Sequence, residues 1–532
     1  MPSTKKLLSI TNLKKYFPIA KSSIFQRQQY YVKANEDISL DIYEGETLGI
    51  VGESGCGKST LGRVLLQLYE QTAGTTMYYG MSRAELAPRY VTDTLRHAKR
   101  YISRLHAAQA RADAASAKVS QLGEAATFFD LQNKNLAVAE YQTAQAHIAK
   151  ILGGFLVRDT EQGAALLYRK ARLEERAAAL SDRIRDIELM LDEAEGGTAD
   201  GGKPANASQL ARLKGRCGRL TRERDGLNAQ IREAEQSIAA IKQAHRDDVE
   251  FQRYEAMLDD GIDLARLKYS EMRILRKDLQ IIFQDPYSSL NPRFTIGQII
   301  EEGLVTHKFF RHGSPKMREH VVRTMKECGL QEYMLFRYPH QFSGGQRQRI
   351  SIARALAVHP KFVVCDECVS ALDVSIQSQI INLLQELKQK EHLTYMFISH
   401  DLSVVRYISD RICVMYLGNV VELADAATVF GDPRHPYTVA LLSSIPTTDM
   451  ESLKKERILL EGSIPSPVKP PDGCKFHTRC WMACDKCRRV PPPLAEIEPG
   501  HFVACHFPER KLDENGNYLF EMPKTEKKSA KE

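Results

Sequence analysis

Three short clusters in this chain combine the residue types that phosphate chemistry needs. The first, Gly52-Glu53-Ser54-Gly55-Cys56-Gly57-Lys58-Ser59-Thr60, follows the pattern G-x-x-x-x-G-K-[ST]. Its glycines let backbone N–H groups wrap phosphate oxygens, Lys58 can reach the β- and γ-phosphates of a nucleotide, and Ser59 can ligate Mg²⁺. The second, Val364-Cys365-Asp366-Glu367, ends an apolar run in two acids. Asp366 suits the Mg²⁺ shell and Glu367 suits polarisation of an attacking water. The third, Ser343-Gly344-Gly345-Gln346, opens an amphipathic segment with almost no side-chain bulk. Its free N–H groups and the helix dipole favour the approach of a γ-phosphate. The combined chemistry is nucleotide hydrolysis.

Such residues act only if elements present them in order. Thr47–Val51 reads as a buried strand feeding the phosphate loop, and residues 60–66 continue as a helix. In that strand–loop–helix setting a chance glycine-rich turn is a poor alternative. Phe362–Asp366 reads as a strand ending at the acids, and residues 395–399 form another that delivers His400. Cys56 inside the loop admits a redox role. A small space-filling residue is the simpler reading, because no electropositive partner beyond the loop itself is identifiable from sequence.

The set, in this order, resembles the ABC-type ATPases. Ser343, Gly344, Gly345 and Gln346 resemble their signature motif, which meets the ATP held by a partner subunit, and 366–367 their Walker B acids. Ser370-Ala371-Leu372-Asp373 resembles the D-loop, with Asp373 its acid, and His400 the switch histidine that contacts the γ-phosphate. Gln284, in Ile281-Ile282-Phe283-Gln284-Asp285-Pro286, matches the Q-loop glutamine that senses Mg²⁺ and water. Phe17 occupies the position of the aromatic that stacks on adenine, with Tyr16 as a substitute. The resemblance implies Glu367, His400 and Gln284 as catalytic residues, Ser59, Gln284 and Asp366 around Mg²⁺, and residues 52–60 around ATP. Cys368-Val369 departs from the usual Pro-Thr or Pro-Val after the acids, which could shift the path into the D-loop.

The implied fold is α/β: an ABC-type P-loop ATPase domain over 1–80 and 273–430, with a helical signature subdomain at 285–342. A mixed sheet and an antiparallel N-terminal portion are expected, with the P-loop and Q-loop on neighbouring strands. Residues 81–272 interrupt it, leaving from the tip of a short β-hairpin at 75–80. Leu166, Leu173, Leu180 and Ile187 recur every seven residues, joined by Ala177, Ile184 and Leu191. Leu213, Leu220, Leu227, Ala234 and Ile241 repeat the pattern, with Cys217, Ile231 and Ile238. A glycine-rich break at 196–204 lies between them, so the pair reads as an antiparallel coiled-coil hairpin. Residues 84–122 and 125–152 read as two further helices, parted near Gly123. The insertion carries no cluster of catalytic side chains.

Five of the 11 cysteines fall between 474 and 505. With no secretion signal recognised at the N-terminus, clustered cysteines are expected to be metal ligands rather than disulfides. Cys474, Cys480, Cys487 and Cys505 have five, six and seventeen residues between them. That is wide for a zinc ribbon and suits a 4Fe–4S cluster held by four thiolates. Cys484 is the surplus. A zinc site from Cys480, Cys484, Cys487 and His477 or Cys505 stays open as the alternative. The Gly473-Cys474-Lys475-Phe476-His477-Thr478-Arg479-Cys480 tail, His435-Pro436-Tyr437-Thr438 and residues 283–292 resemble the ATP-binding subunits of oligopeptide/dipeptide importers, the peptide/nickel group. That resemblance covers about 7–80 and 272–508. It implies a second ATPase subunit, alike or different, two membrane permeases, indirectly a solute-binding protein, and a cluster in the 431–510 segment. Residues 511–532 read as a disordered Lys-rich tail.

Composition agrees: 43% hydrophobic and 27% charged residues are ordinary for a globular chain, and +7 is too mild to indicate nucleic acid. No apolar run reaches membrane-spanning length, so a peripheral place on the cytoplasmic face of the membrane is expected. The rival class is a non-transport ABC ATPase of DNA maintenance or translation. In the former the coiled coil enters after the Q-loop, whereas here it precedes Gln284. The latter carries two cassettes, and here there is one.

Overall fold

The computed structural model describes residues 5–21, 28–196, 207–310, 313–445 and 458–508. The glycine-rich break beyond Gly196 and the Lys-rich tail lie outside them. The chain divides into two compact units, Met1–Thr72 with Met272–Glu532, and Ala73–Glu271.

The first unit is built on an eight-stranded sheet. Its parallel part runs, in spatial order, Leu279–Ile282, Phe362–Asp366, Thr394–Ile398, Thr47–Val51 and Arg411–Tyr416. Thr47–Val51, Phe362–Asp366 and Thr394–Ile398 are buried along their whole length, as parallel strands covered on both faces must be. Lys6–Pro18 and Tyr31–Tyr43 pair antiparallel beside it. Helices Ile296–Thr306 and Pro315–Glu327 place Ile300, Leu304, Val321 and Met325 in the same apolar core as Val363, Phe397 and Ile350.

The expected strand order needs correction here. The P-loop strand and the strand before Gln284 are not neighbours; Thr394–Ile398 and Phe362–Asp366 lie between them. Crossover connections, rather than chain order, set strand order in a parallel sheet, and crossover length does not encode how many strands are skipped. The C-terminal segment joins the same sheet. His501–Val503 pairs antiparallel with Asn419–Asp425, and Ala495–Glu498 pairs with it in turn, so the segment completes the sheet.

In the second unit, strand Ala73–Tyr78 pairs antiparallel with Ile262–Asp263, Tyr78 opposite Ile262. The short hairpin expected at 75–80 does not form: Ala73–Tyr78 is a single strand, and its antiparallel partner lies beyond the whole intervening chain. Helices Arg89–Arg96, Ala98–Leu122, Phe128–Leu152, Thr160–Gly196 and Ala207–Ala244 follow. The expected 84–122 helix is broken at Ala87, which turns left-handed (φ 48) before Pro88, and again at His97. Thr127 caps Phe128–Leu152 with Asp130 in a reciprocal capping box. Leu95, Leu105, Ile148, Leu152, Phe155, Ile238 and Phe251 form one core, with Phe155 and Phe251 edge to face at 5.8 Å. Leu173, Ala177 and Leu180 of one long helix pack with Leu220, Leu227 and Ile231 of the other. The paired faces are those of the seven-residue repeats. No helix among the described residues is long and apolar enough to cross a membrane.

Candidate functional site

The loop after Thr47–Val51 turns through Gly52 (φ 149), where a Cβ would lie 2.2 Å from the Met415 carbonyl oxygen. At Gly57 (φ 99) a Cβ would lie 2.1 Å from the Ala34 oxygen, so both glycines are required by close backbone approach. The helix Lys58–Leu65 starts at once. Buried Lys58 Nζ donates to the carbonyls of Gly52 (2.7 Å) and Glu53 (3.1 Å). The ammonium is thus held inside the curve of its own loop. Cys56 is buried and its thiol is pushed up by burial, which supports the space-filling reading.

One strand, Phe362–Asp366, brings both acids to this loop. Ser59 Oγ donates to Asp366 Oδ1 at 2.6 Å, joining residues far apart in sequence. Asp366 is 2% exposed, and its Oδ2 receives Arg63 Nη2 at 3.3 Å. Serine and carboxylate oxygens side by side are the hard donors that Mg²⁺ prefers. Glu367, next along, has φ 49, a conformation costly for a non-glycine residue. Its N–H donates to the Ile398 carbonyl at 3.0 Å and its own carbonyl accepts from Ser370 Oγ at 2.9 Å. That backbone turns the carboxylate aside from its strand: Gln284 Nε2 donates to Oε2 at 2.9 Å, and His400 Nδ1 lies 3.6 Å from the same oxygen. Cys368 and Val369 are buried in the turn that follows.

Ser343 caps helix Gly344–Leu356 by a capping box with Gln346, and a Cβ on Gly345 would fall 2.5 Å from Ile376 Cγ2. Asp373 caps the Ile376 helix; the Ile376 N–H holds its carboxyl below the usual range. Ser54, Gly55 and Thr60 lie in the same loop–helix junction, half-buried or exposed. Tyr16 is 4% exposed, its hydroxyl donating to Glu36 Oε1 at 2.8 Å, while Phe17 is half-buried and edge-on to Tyr69 at 5.4 Å. Of the two rings Phe17 is the more exposed, with Lys15 Nζ 4.6 Å from its ring centroid.

Cys474, Cys480, Cys487 and Cys505 line one cavity with His435, Phe476, His477 and His506. Cys484 is not among its walls; it sits 3.8 Å, sulfur to sulfur, from Cys487. Burial raises the thiols of Cys480 to about 12 and Cys505 to about 11. No group of three or more His, Cys, Asp or Glu side chains among the described residues is arranged to hold a metal ion.

Sequence reasoning missed three residues. Arg63 was read only as part of a helix, and Tyr437 and Arg479 only as parts of a family resemblance. Tyr437 and Arg479 both reach Glu53 of the phosphate loop. The cysteine segment is thereby joined to the phosphate loop, a link that the sequence alone does not reveal.

Residues 35–154 and 236–370 match the family model described as ABC transporter, and residues 421–487 match the one described as oligopeptide/dipeptide transporter, C-terminal region. The oligopeptide transport ATP-binding protein AppF of Bacillus subtilis is 52% identical over 254 residues, 47% of this chain and 76% of that protein. YkfD of the same organism, also named for oligopeptide transport ATP binding, is 53% identical over 248 residues, 46% of this chain and 75% of its own length. A Brucella ovis protein named for peptide import ATP binding is 52% identical over 247 residues, 46% of this chain and 77% of its own.

Proposed function

The chain belongs to the ATP-binding proteins of oligopeptide/dipeptide ABC transporters, and from that membership we propose that it hydrolyses ATP to energise import of peptides across a membrane. The observation that carries the catalytic part is the joining of Ser59 to Asp366, with Glu367 beside them between Gln284 and His400. Residues 52–60 wrap the phosphates, and Lys58 exchanges its carbonyl partners for phosphate oxygens. Ser59, Asp366 and Gln284 would hold Mg²⁺, which when bound would neutralise phosphate charge. Glu367 takes the proton of the attacking water, and His400 and Gln284 orient that carboxylate. Phe17 stacks on adenine. The capped Ser343–Gln346 helix end completes the ATP site of a second ATPase subunit, and Asp373 lies at that junction.

The peptide relatives and the matched C-terminal region support two permease subunits as the membrane partners, a place against the cytoplasmic face, and indirectly a solute-binding protein. They set aside a DNA-maintenance or translation role. The reading of a 4Fe–4S cluster rests on the four cysteines that share this cavity, Cys484 lying outside its wall, and a zinc ion is the alternative. The long helix pair of the second unit forms a coiled-coil arm that docks a partner or restrains the ATPase pair. Reconstitution with its permeases in vesicles tests the assignment. ATP-dependent uptake of a labelled peptide is expected; hydrolysis indifferent to peptide, with no uptake, would overturn it.

A further inference from the structure

The cysteine-rich segment reaches the phosphate loop through one residue, Glu53. Tyr437 Oη accepts the Glu53 N–H at 2.8 Å, while Arg479 Nη1 and Nη2 donate to the two carboxylate oxygens at 2.8 and 3.1 Å. We propose that Arg479 and Tyr437 are positioning residues of the ATP site, through which the cysteine-rich segment sets nucleotide affinity. The inference rests on residues 52–60 being the phosphate-binding loop.

The charge argument comes first. A carboxylate in the second position of a phosphate loop repels the ligand that the loop exists to hold. The Arg479 guanidinium, 7% exposed, cancels it with a two-pronged, charge-assisted bond to a carboxylate that is 30% exposed. Geometry adds a second reason. The Glu53 carbonyl takes Lys58 Nζ at 3.1 Å, so displacing Glu53 displaces the lysine partner too. Gly52, immediately before, already follows a path open only to glycine, and the Tyr437 hydroxyl pins the peptide that leaves it.

Arg479 is in turn held by the thiol-bearing chain. Phe476, 1% exposed, sits edge-on to Tyr416 at 5.2 Å and tilted against Tyr437 at 5.5 Å and His435 at 5.7 Å. The Cys474 N–H donates to the Cys487 carbonyl at 2.8 Å, and a Cβ on Gly473 would lie 2.3 Å from that oxygen. Residues 474–487 are therefore one knot, with Arg479 projecting from it onto the loop. Loosening the knot at its sulfurs releases Glu53.

The test uses the full chain and Mg-ATP, reading binding by calorimetry, KM and kcat by turnover, and melting temperature. Arg479→Gln should weaken ATP binding about tenfold, as loss of a charged bidentate bond implies, with kcat nearly unchanged. Adding Glu53→Gln should recover most of that loss, because the uncompensated charge is gone. Cys487→Ser should raise KM in the otherwise unaltered chain and add nothing in the Arg479→Gln, Glu53→Gln background. A double variant as weak as Arg479→Gln, or an Arg479→Gln chain binding ATP normally, would overturn the proposal. If Arg479→Gln does not fold, Arg479→Lys keeps charge without the fork; an intermediate loss supports the clamp and unchanged binding refutes it. If Lys58→Ala binds ATP like the unaltered chain, the phosphate-loop assignment has failed instead.

Discussion

Glu367 sits in a left-handed backbone at the end of a buried strand, and the fold holds it there with bonds from both sides of the peptide. Such strain is retained where a side chain must point somewhere its strand would not send it. Glu367→Gln should therefore keep the geometry, with Gln284 and His400 still adjacent, while removing the base. ATP binding is expected to persist and turnover to fall by about 10² or more; near-normal turnover with both sites of the pair defined would refute the role. Lys58→Ala is expected to weaken binding itself. A second prediction concerns His435, 1% exposed, with Nδ1 accepting the Tyr437 N–H at 3.1 Å. Burial lowers its pKa to about 4, against an ordinary value near 6.5. Between those values the unfolded chain binds the proton and the folded chain does not. Its contribution is therefore complete above about pH 6.5 and is lost as pH falls toward 4, by at most about 3 kcal/mol. Urea unfolding at pH 7 and pH 5 should show this loss, and His435→Gln should reduce the pH slope.

At the level of elements, the two long helices of the second unit owe their partnership to one apolar stripe each. Leu227 is 4% exposed and packs with Leu173 and Leu180. Leu227→Ala should cost about 2–5 kcal/mol locally. Calorimetry should show an early transition for that unit with Mg-ATP affinity unaltered; a change in affinity would tie the helices to the ATP site. The C-terminal segment is held differently, by sheet pairing at one end and by Phe476 at the other. Its cavity carries the cluster prediction. Anaerobic protein should be brown, with about four irons per chain. Cys487→Ser should bleach it and Cys484→Ser, whose thiol lies outside the cavity wall, should not. Colourless protein with one zinc per chain would decide for the zinc alternative.

Across the whole molecule, the division into two units has a direct consequence. Tyr78 and Ile262 face each other across an antiparallel pair, so residues 79–261 can be exchanged for Asn-Gly, a two-residue turn suited to that pairing. The shortened chain should fold and bind Mg-ATP with an affinity within about threefold of the full chain, since Ser59, Asp366, Glu367 and Gln284 all lie in the other unit. A soluble shortened protein without nucleotide affinity would show that the second unit is part of the site. The ABC transporter match extends through residue 154 and resumes at 236, so residues 155–235, which hold most of the long helix pair, are what the family pattern does not contain.

Much of the site could be read from the chain because its chemistry is local. A phosphate loop needs its glycines and lysine within a few residues, and an acid pair needs only an apolar strand before it. Seven-residue recurrence likewise exposed the two long helices, since a helical stripe repeats along the chain itself. Other features were not legible. The separation of the P-loop strand from the Gln284 strand depends on crossovers. The partner of Ala73–Tyr78 lies beyond an entire helical unit. The left-handed turn at Glu367 is imposed by neighbours, not by its residue type. Above all, the hold of Tyr437 and Arg479 on Glu53 joins residues hundreds of positions apart. Hydrogen bonds and ion pairs depend on distance in space, and a sequence records distance only along the chain.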